Sequence, residues 1–443
     1  MIKTSKFKHW VYPAYARVAQ PRRARKRRGT GRGRLIQIGA IITAFLGFNT
    51  DSSLIYQLFA FLFCLTIASR IGLLIHKPNI SITRKLPSYA TVGESFEYSI
   101  SVHNLGSKLE SDLNVIDNPL IIPPSRKAFL VQKEPFEDSR NAYDRFIGIH
   151  RFMHLQKLNT GITCQQTIIP DLSRNAKVNA FIKAEPLRRG LVRFSSTTIL
   201  HPDPLNLNQG ILKIENPTSI LVLPKRYKIP SSFNLHSGRH FQPGGINAAW
   251  SIGESDEFVS LRDYRDGDSV RKIHWASTAK RNKPVVKEYQ DEYFVRQALI
   301  LDTSSEDSEI LEEAISIAAS FTLALNKPDS VLDLIYQKNI LTSGRGTDAV
   351  SSQLEALAKM SQSDLPLDKL CETTLSHTRF ISACIVVLTA WTDAHKNLLI
   401  GLRAANIPMK VFVVTRDVDE LRSEEIDAHI MPIGEIQKHL LLL

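Results

Sequence analysis

Two apolar runs near the amino terminus constrain this chain more than any other feature of its 443 residues. Leu35–Phe48 and Leu54–Ser69 carry no charge, and between Arg34 and Arg70 the one charged residue is Asp51. A helix needs about 20 apolar residues to cross the hydrocarbon core, with about 17 as the short limit. The second run is extended by Arg70–His76, with Arg70 snorkelling toward head groups. The first reaches the limit only with Asn49 and Thr50 at the interface. The polar set Asn49–Ser53 reads as a turn. Residues 35–76 therefore read as a tight transmembrane hairpin, the alternative being one long, bent interfacial segment.

The charge supports that orientation. Residues 1–34 hold 12 of the 56 Lys and Arg and no acid, so the remainder is neutral and the net +12 belongs to one tail. Basic residues ahead of the first span keep the amino terminus inside, and two spans return the chain to the cytoplasm. A cleaved signal peptide fits poorly, because the basic region is long and a second apolar run follows at once. RRARKRRGTGRGR also has the look of a nucleic-acid patch, but it has no aromatic residue to stack on bases. Topology and attraction to anionic lipid account for it better, so no nucleic-acid partner is expected. Cys64, Cys164, Cys371 and Cys384 show no C-x-x-C spacing, which points to reduced thiols rather than a disulfide framework or zinc site.

Beyond the membrane the periodicity changes twice. Residues 78–224 alternate apolar and polar with period two, as in SITRKLPSYATVGESFEYSISVHNLG, and predict an antiparallel β-sandwich of immunoglobulin-like type. Arg126–Arg151 is charged and less patterned, and reads as a long loop or insertion. Residues 225–256 read as a connector. From 291 to 443 the buried-type strands QALILDT, VLDLIYQ, ISACIVVLTA and MKVFVVT alternate with helical stretches, which means an α/β domain on a parallel sheet. Ligands of such sheets gather outside the carboxyl ends of the strands, as at the loop after Asp302.

Between these regions, residues 257–290 hold SLRDYRDGDSVRKIHWASTAKRNKPVVKEY: a strand, a Gly-Asp turn, a short helix and another strand. Asp268 is placed to cap that helix, which puts Arg271 and Lys272 in a first turn where the dipole disfavours cations. Neighbouring Asp263 and Asp266, or an acidic partner, would compensate. The motif thus serves either as an internal salt-bridge network or as a partner-facing surface. Ile273 and Trp275 read as core residues and His274 as solvent-facing or hydrogen-bonded.

Asp302 and Ser304, with Thr347 and Asp393 from two other strand-end loops, form a carboxylate–hydroxyl set of the kind that suits Mg²⁺. Helix capping is the alternative, since Ser304 and Asp307 have the S-x-x-D form. No P-loop, H-E-x-x-H or G-x-S-x-G motif occurs, and Asp263 and Glu288 lack nuclease spacing, so an enzyme is not expected.

With these residues in hand, LRDYRDGDSVRKIHW (Leu261–Trp275), continued through Ala279-Lys280 and Val286–Glu288, resembles the membrane-anchored bacterial family known as domain of unknown function 58. HPDPLNL (His201–Leu207) is similar to that family's D-P-F-G-L, with Leu205 for the aromatic and Asn206 for the glycine. The resemblance implies a two-span protein of the bacterial inner membrane whose last domain is like von Willebrand factor A and which works with a MoxR-type AAA+ ATPase. Its adhesion-type metal motif D-x-S-x-S would fall on Asp302, Ser304 and Glu306, with glutamate in place of the last serine. The expected function is a non-enzymatic membrane adaptor whose partner-binding residues are Arg262, Asp263, Tyr264, Gly267, Asp268, Arg271, Trp275 and Lys287. A metal-dependent binding module built on the Asp302 loop is the alternative.

Overall fold

The computed structural model describes residues 11–16, 30–46, 53–233, 235, 258–265, 270, 273–289, 295–326, 330–342, 347–363, 365–416 and 427–443. The chain forms two compact units, Met1–Pro224 and Lys225–Leu443.

After a short helical stretch at residues 11–16, the first unit continues with helices α1 (Gly31–Leu46) and α2 (Ser53–Ile75). They lie against each other, with the Leu62 methyl 3.5 Å from where a Cβ on Gly39 would stand. Their large apolar side chains, Leu35, Phe45, Leu54 and Phe61 among them, face outward. Among the described residues α2 alone is long and apolar enough to cross a membrane. The 16 residues of α1 rise about 24 Å, short of a hydrocarbon core about 30 Å thick.

Nine strands follow. β1 (Ile80–Lys85), β3 (Phe96–Asn104), β7 (Lys177–Pro186) and β5 (Ile162–Cys164) form one sheet in that order. The second sheet runs β2 (Tyr89–Thr91), β9 (Gln209–Leu223), β8 (Gly190–Pro202), β4 (Asn114–Pro119) and β6 (Thr167–Ile168). All pairings are antiparallel except β2 with β9. Period-two alternation is visible in the burial of β3 and β7, whose inward Tyr98, Ile100, Val102, Ala180 and Ile182 share one core with Val115, Phe194, Ile199 and Ile220 of the second sheet. Through this core runs an ion pair. Arg84 and Asp117 are both fully buried, with Arg84 Nε donating to Asp117 Oδ2 at 2.7 Å and Tyr98 Oη donating to the same oxygen at 2.6 Å. Burial comes first among the causes that push the Tyr98 hydroxyl far above its usual range, followed by the nearby Cys164 and Asp117.

The stretch after β4, read from sequence as a loop or insertion, is helical: α3 (Arg126–Val131), α4 (Ala142–Ile147) and α5 (Ile149–Thr160). Its caps explain it, since Ser125 and Asn141 accept from the backbone amides of Ala128 and Asp144, and Gly148 and Gly161 close helices in left-handed conformation.

The turn after β8 holds the helices to the sandwich. Asp203 Oδ1 accepts from Leu207 N (2.7 Å) and Asn208 N (3.1 Å), and Asn206 sits at φ +52°, so asparagine supplies the left-handed residue that glycine would otherwise provide. The Leu207 carbonyl accepts from Thr30 N (3.1 Å) and Thr30 Oγ1 (2.8 Å), and Asn208 Nδ2 donates to Ser69 Oγ at 2.7 Å. A Cβ on Gly33 would stand 1.8 Å from that carbonyl oxygen, so no other residue fits without displacement.

In the second unit, β12 (Val295–Leu301), β13 (Ser330–Tyr336), β14 (Asn339–Thr342), β15 (Ala383–Leu388), β16 (Met409–Thr415) and β17 (His429–Pro432) build one sheet in the order β14-β13-β12-β15-β16-β17. All neighbours are parallel except β14, an antiparallel edge on β13. The helices are α7 (Ser308–Ala324), α8 (Thr347–Lys359), α9 (Leu367–His377), α10 (Asp393–Ala404) and α11 (Ile436–Leu440), preceded in the chain by α6 (Trp275–Arg281) of the motif segment. Continuous burial along β12 and β15 matches their central place, covered on both faces. The described start of the expected connector lies on this unit: Tyr227 N donates to Ser320 Oγ (2.8 Å), and the Phe233 ring lies 5.1 Å from Phe321.

Candidate functional site

Numbered within the sheet, the strands run third, second, first, fourth, fifth, sixth. The order reverses between β12 and β15, and a crevice opens at the carboxyl ends of strands at such a point. Asp302 is the residue immediately after β12 and Thr389 the one after β15. A shallow depression lies there, lined by Asp302, Thr303, Ser304, Gln337, Ser363 and Leu365–Leu367 with Leu370.

Asp302 is buried and fully engaged. Oδ1 accepts from Ser304 N (2.9 Å) and Ser304 Oγ (2.7 Å); Oδ2 accepts from Thr389 N (3.1 Å), from the Thr389 hydroxyl, and from His395 Nε2 at 3.2 Å. The His395 tautomer follows from its other side. Nδ1 accepts from Thr392 N at 3.3 Å and lies 2.8 Å from Thr392 Oγ1, so the proton is on Nε2 and points at Asp302. Burial alone would raise the Asp302 carboxyl, but the bonds from His395, Thr389 and Ser304 outweigh it and hold the group well below the usual carboxylate range.

That donor set does not fit a metal. A carboxylate offers about four lone-pair sites, and five donors already converge on Asp302. Asp393 does not join it: as the first residue of α10 its side chain is 98% exposed, 3.8 Å from Lys396 Nζ. The Thr347 side chain lies outside the described residues, although its backbone opens α8. Glu306 is exposed in the same loop, and Asp307 itself caps α7 by accepting from Glu309 N, whereas the S-x-x-D reading would make Ser304 the cap; Ser304 instead donates to Asp302. Among the described residues no three His, Cys, Asp or Glu side chains gather as metal ligands. Thr389 and His395, which complete the cluster, escaped the sequence reading. Their signal is LTAWTDAH, where a hydroxyl ends a buried strand and a histidine falls on the third position of the next helix.

The motif segment pairs β10 (Phe258–Asp263) antiparallel with β11 (Val285–Tyr289). Val285 and Val286 are buried, and Ile273 bridges to Val286. Of the eight residues expected to bind a partner, Arg262, Asp263, Tyr264, Trp275 and Lys287 are described, while Gly267, Asp268 and Arg271 lie outside the described residues. The helix starts later than expected, at Trp275, with His274 as its cap: Nδ1 accepts from Ser277 N (3.3 Å) and lies 2.7 Å from Ser277 Oγ. Starting there turns Trp275 away from the sheet. Instead of a core residue it is 65% exposed, in a segment where Val270 is 62% exposed. Arg265, Lys280, Arg281 and Lys283 are exposed in the same segment. An exposed tryptophan among cations is the composition of an interface anchor.

Residues 260–415 match the family described as "Protein of unknown function DUF58". The chain is also similar to "Uncharacterized protein YeaD" of Bacillus subtilis, at 23% identity over 210 residues. That match covers 46% of this chain and 51% of the relative, so it spans about half of each. Among solved structures it is similar to a CARDB domain from Pyrococcus furiosus, at 12% identity and a TM-score of 0.18 over 33% of this chain and 89% of that one. A similar match is to native alpha-2-macroglobulin of Escherichia coli, at 13% identity and a TM-score of 0.18 over 35% and 20% of the two chains.

Proposed function

We propose that this DUF58-family chain is a membrane-anchored, non-enzymatic adaptor of the bacterial inner membrane. In this reading α1 and α2 form a two-span hairpin with both termini cytoplasmic. The basic stretch before α1 meets anionic lipid, the β unit is a spacer, and the motif surface of the second unit binds a MoxR-type AAA+ ATPase. The observation that carries it is Trp275, a large apolar side chain left 65% exposed in a segment rich in Arg and Lys. Tryptophan and arginine are enriched among the few residues that dominate binding energy, and truncating such an anchor costs about 2 kcal/mol or more.

Two further observations favour an adaptor over a metal-dependent binding module. Asp302 has its lone pairs taken by protein donors, and the strand order with an antiparallel third strand is consistent with a von Willebrand factor A-like domain that works without metal. The test is titration of the same genome's MoxR-type ATPase onto the full-length protein in nanodiscs. Trp275→Ala should weaken binding at least about 30-fold while leaving the circular dichroism spectrum unchanged. Equal affinity for both forms would refute the assignment. A reporter fused after Leu443 that is active only in the periplasm would refute the topology.

A further inference from the structure

We infer that the helical insertion Arg126–Thr160 is a docking module for a short, tyrosine-bearing helical segment, and that residues 11–16 of this chain are its resident occupant. The insertion has a small core of its own. Phe129, Phe152 and Leu155 are its buried cluster, and Tyr12 and Tyr15 pack against it from more than 100 residues away in sequence. Residues 11–16 are helical, so tyrosines three apart present their rings on one side. Pro13 and Ala14 face solvent, which makes the segment a cover laid on a surface rather than a strand of the core.

The contact has the geometry of recognition. Tyr12 lies 6.0 Å from Phe129 and 6.2 Å from Phe152 between ring centroids, and Tyr15 lies 6.3 Å and 5.5 Å from the same two rings. All four fall in the range where tilted and edge-to-face aromatic pairs are favourable. Both hydroxyls are used as well. Tyr12 Oη donates to the Pro124 carbonyl at 2.7 Å and Tyr15 Oη to the Ile147 carbonyl at 3.2 Å. Ile147 ends α4, where carbonyls lack a partner within the helix, and Pro124 precedes the cap of α3. The site therefore reads two rings and two hydroxyls at fixed spacing, and phenylalanines would satisfy only half of it. The insertion exposes further apolar side chains, Val131, Phe136, Tyr143 and Met153, with Phe136 held at φ +59°. Such a surface is suited to protein contact. Tyr12 and Tyr15 supply the ring and hydroxyl contacts that seat the segment on this surface, so the occupied face is a binding site closed in cis.

The test uses the full-length protein in detergent and a fluorescent peptide of residues 8–20. The peptide should bind the Tyr12→Ala/Tyr15→Ala variant at least tenfold more tightly than the wild type, whose face is already filled. Adding Phe152→Ala should abolish that binding, and a peptide with both tyrosines replaced by phenylalanine should bind more weakly. Binding to neither protein, or equally to both, would overturn the inference. A second measurement covers the case in which the double variant does not fold. A benzoylphenylalanine at position 15 of the otherwise native chain should crosslink within the same molecule to residues 126–160. Crosslinks elsewhere, or only between two copies, would overturn the cis occupant.

Discussion

Replacing Asp302 by alanine should loosen the second unit from its centre. The carboxylate accepts five hydrogen bonds that tie the end of β12 to the end of β15 and to α10. In Asp302→Ala the two hydroxyl donors can rotate toward other acceptors, but the amides of Ser304 and Thr389 and the imidazole N–H of His395 cannot. Each buried donor left without a partner costs about 1–3 kcal/mol. Thr389 and His395 are 4% and 3% exposed, so little water reaches them. The sum for these three groups, discounted for partial relaxation and for the half-buried Ser304, is about 3–5 kcal/mol. Native-state hydrogen exchange of the full-length protein reads this directly. Amides of β12 and β15 should exchange about two to nearly four orders of magnitude faster at fixed pH, while those of the β unit stay unchanged. The pH dependence has a fixed sign. The folded carboxyl titrates below its unfolded value of about 3.9, so its contribution is present above about pH 4 and is lost as pH falls through the folded value. Wild type should lose protection in acid along that course, and Asp302→Asn should show a flatter profile. A change below about 1 kcal/mol on Asp302→Ala, or a rise in wild-type protection on adding Mg²⁺, would refute the reasoning.

Three other substitutions or reactions follow from the packing. Asp117→Ala leaves Arg84 buried without its carboxylate and should destabilise the β unit by about 3–5 kcal/mol, seen as a lower urea midpoint. Gly33→Ala places a methyl against the Leu207 carbonyl and should separate α1 from its turn, seen as faster exchange of the Thr30 and Asn208 amides; unchanged exchange would remove the turn's role as a brace. Burial pushes the Cys384 thiol up to about 12, so iodoacetamide at pH 8 should modify it only after denaturation, and modification of the native protein would contradict its place in β15.

Much of this architecture was legible in the sequence because it rests on periodicity. The alternation in β3 and β7 and the apolar runs of β12 and β15 are solvent-averaged patterns that a linear reading can see. The insertion was not, because helices α3 and α4 have six residues each and show too few turns for a period. Their caps at Ser125, Asn141 and Gly148 were the available signal. Asp302 was recognised as a strand-end carboxylate, yet its partners Thr389 and His395 lie 87 and 93 residues away and are joined only by the parallel pairing of β12 with β15. Trp275 reads as core from the sequence, but the helix starts at Trp275 itself, capped by His274, and leaves that side chain exposed; such a register shift is invisible to composition. The turn at Asn206 shows the reverse case. A residue that departs from glycine keeps the left-handed backbone because asparagine tolerates it.

The adaptor reading is tested most directly by affinity capture of the full-length protein from detergent-solubilised membranes, with and without ATP, beside Trp275→Ala. The account predicts a stoichiometric AAA+ ATPase whose recovery changes with nucleotide and which the variant fails to retain. Recovery of the bait alone in both nucleotide conditions, or equal recovery of the ATPase by the variant, would contradict it.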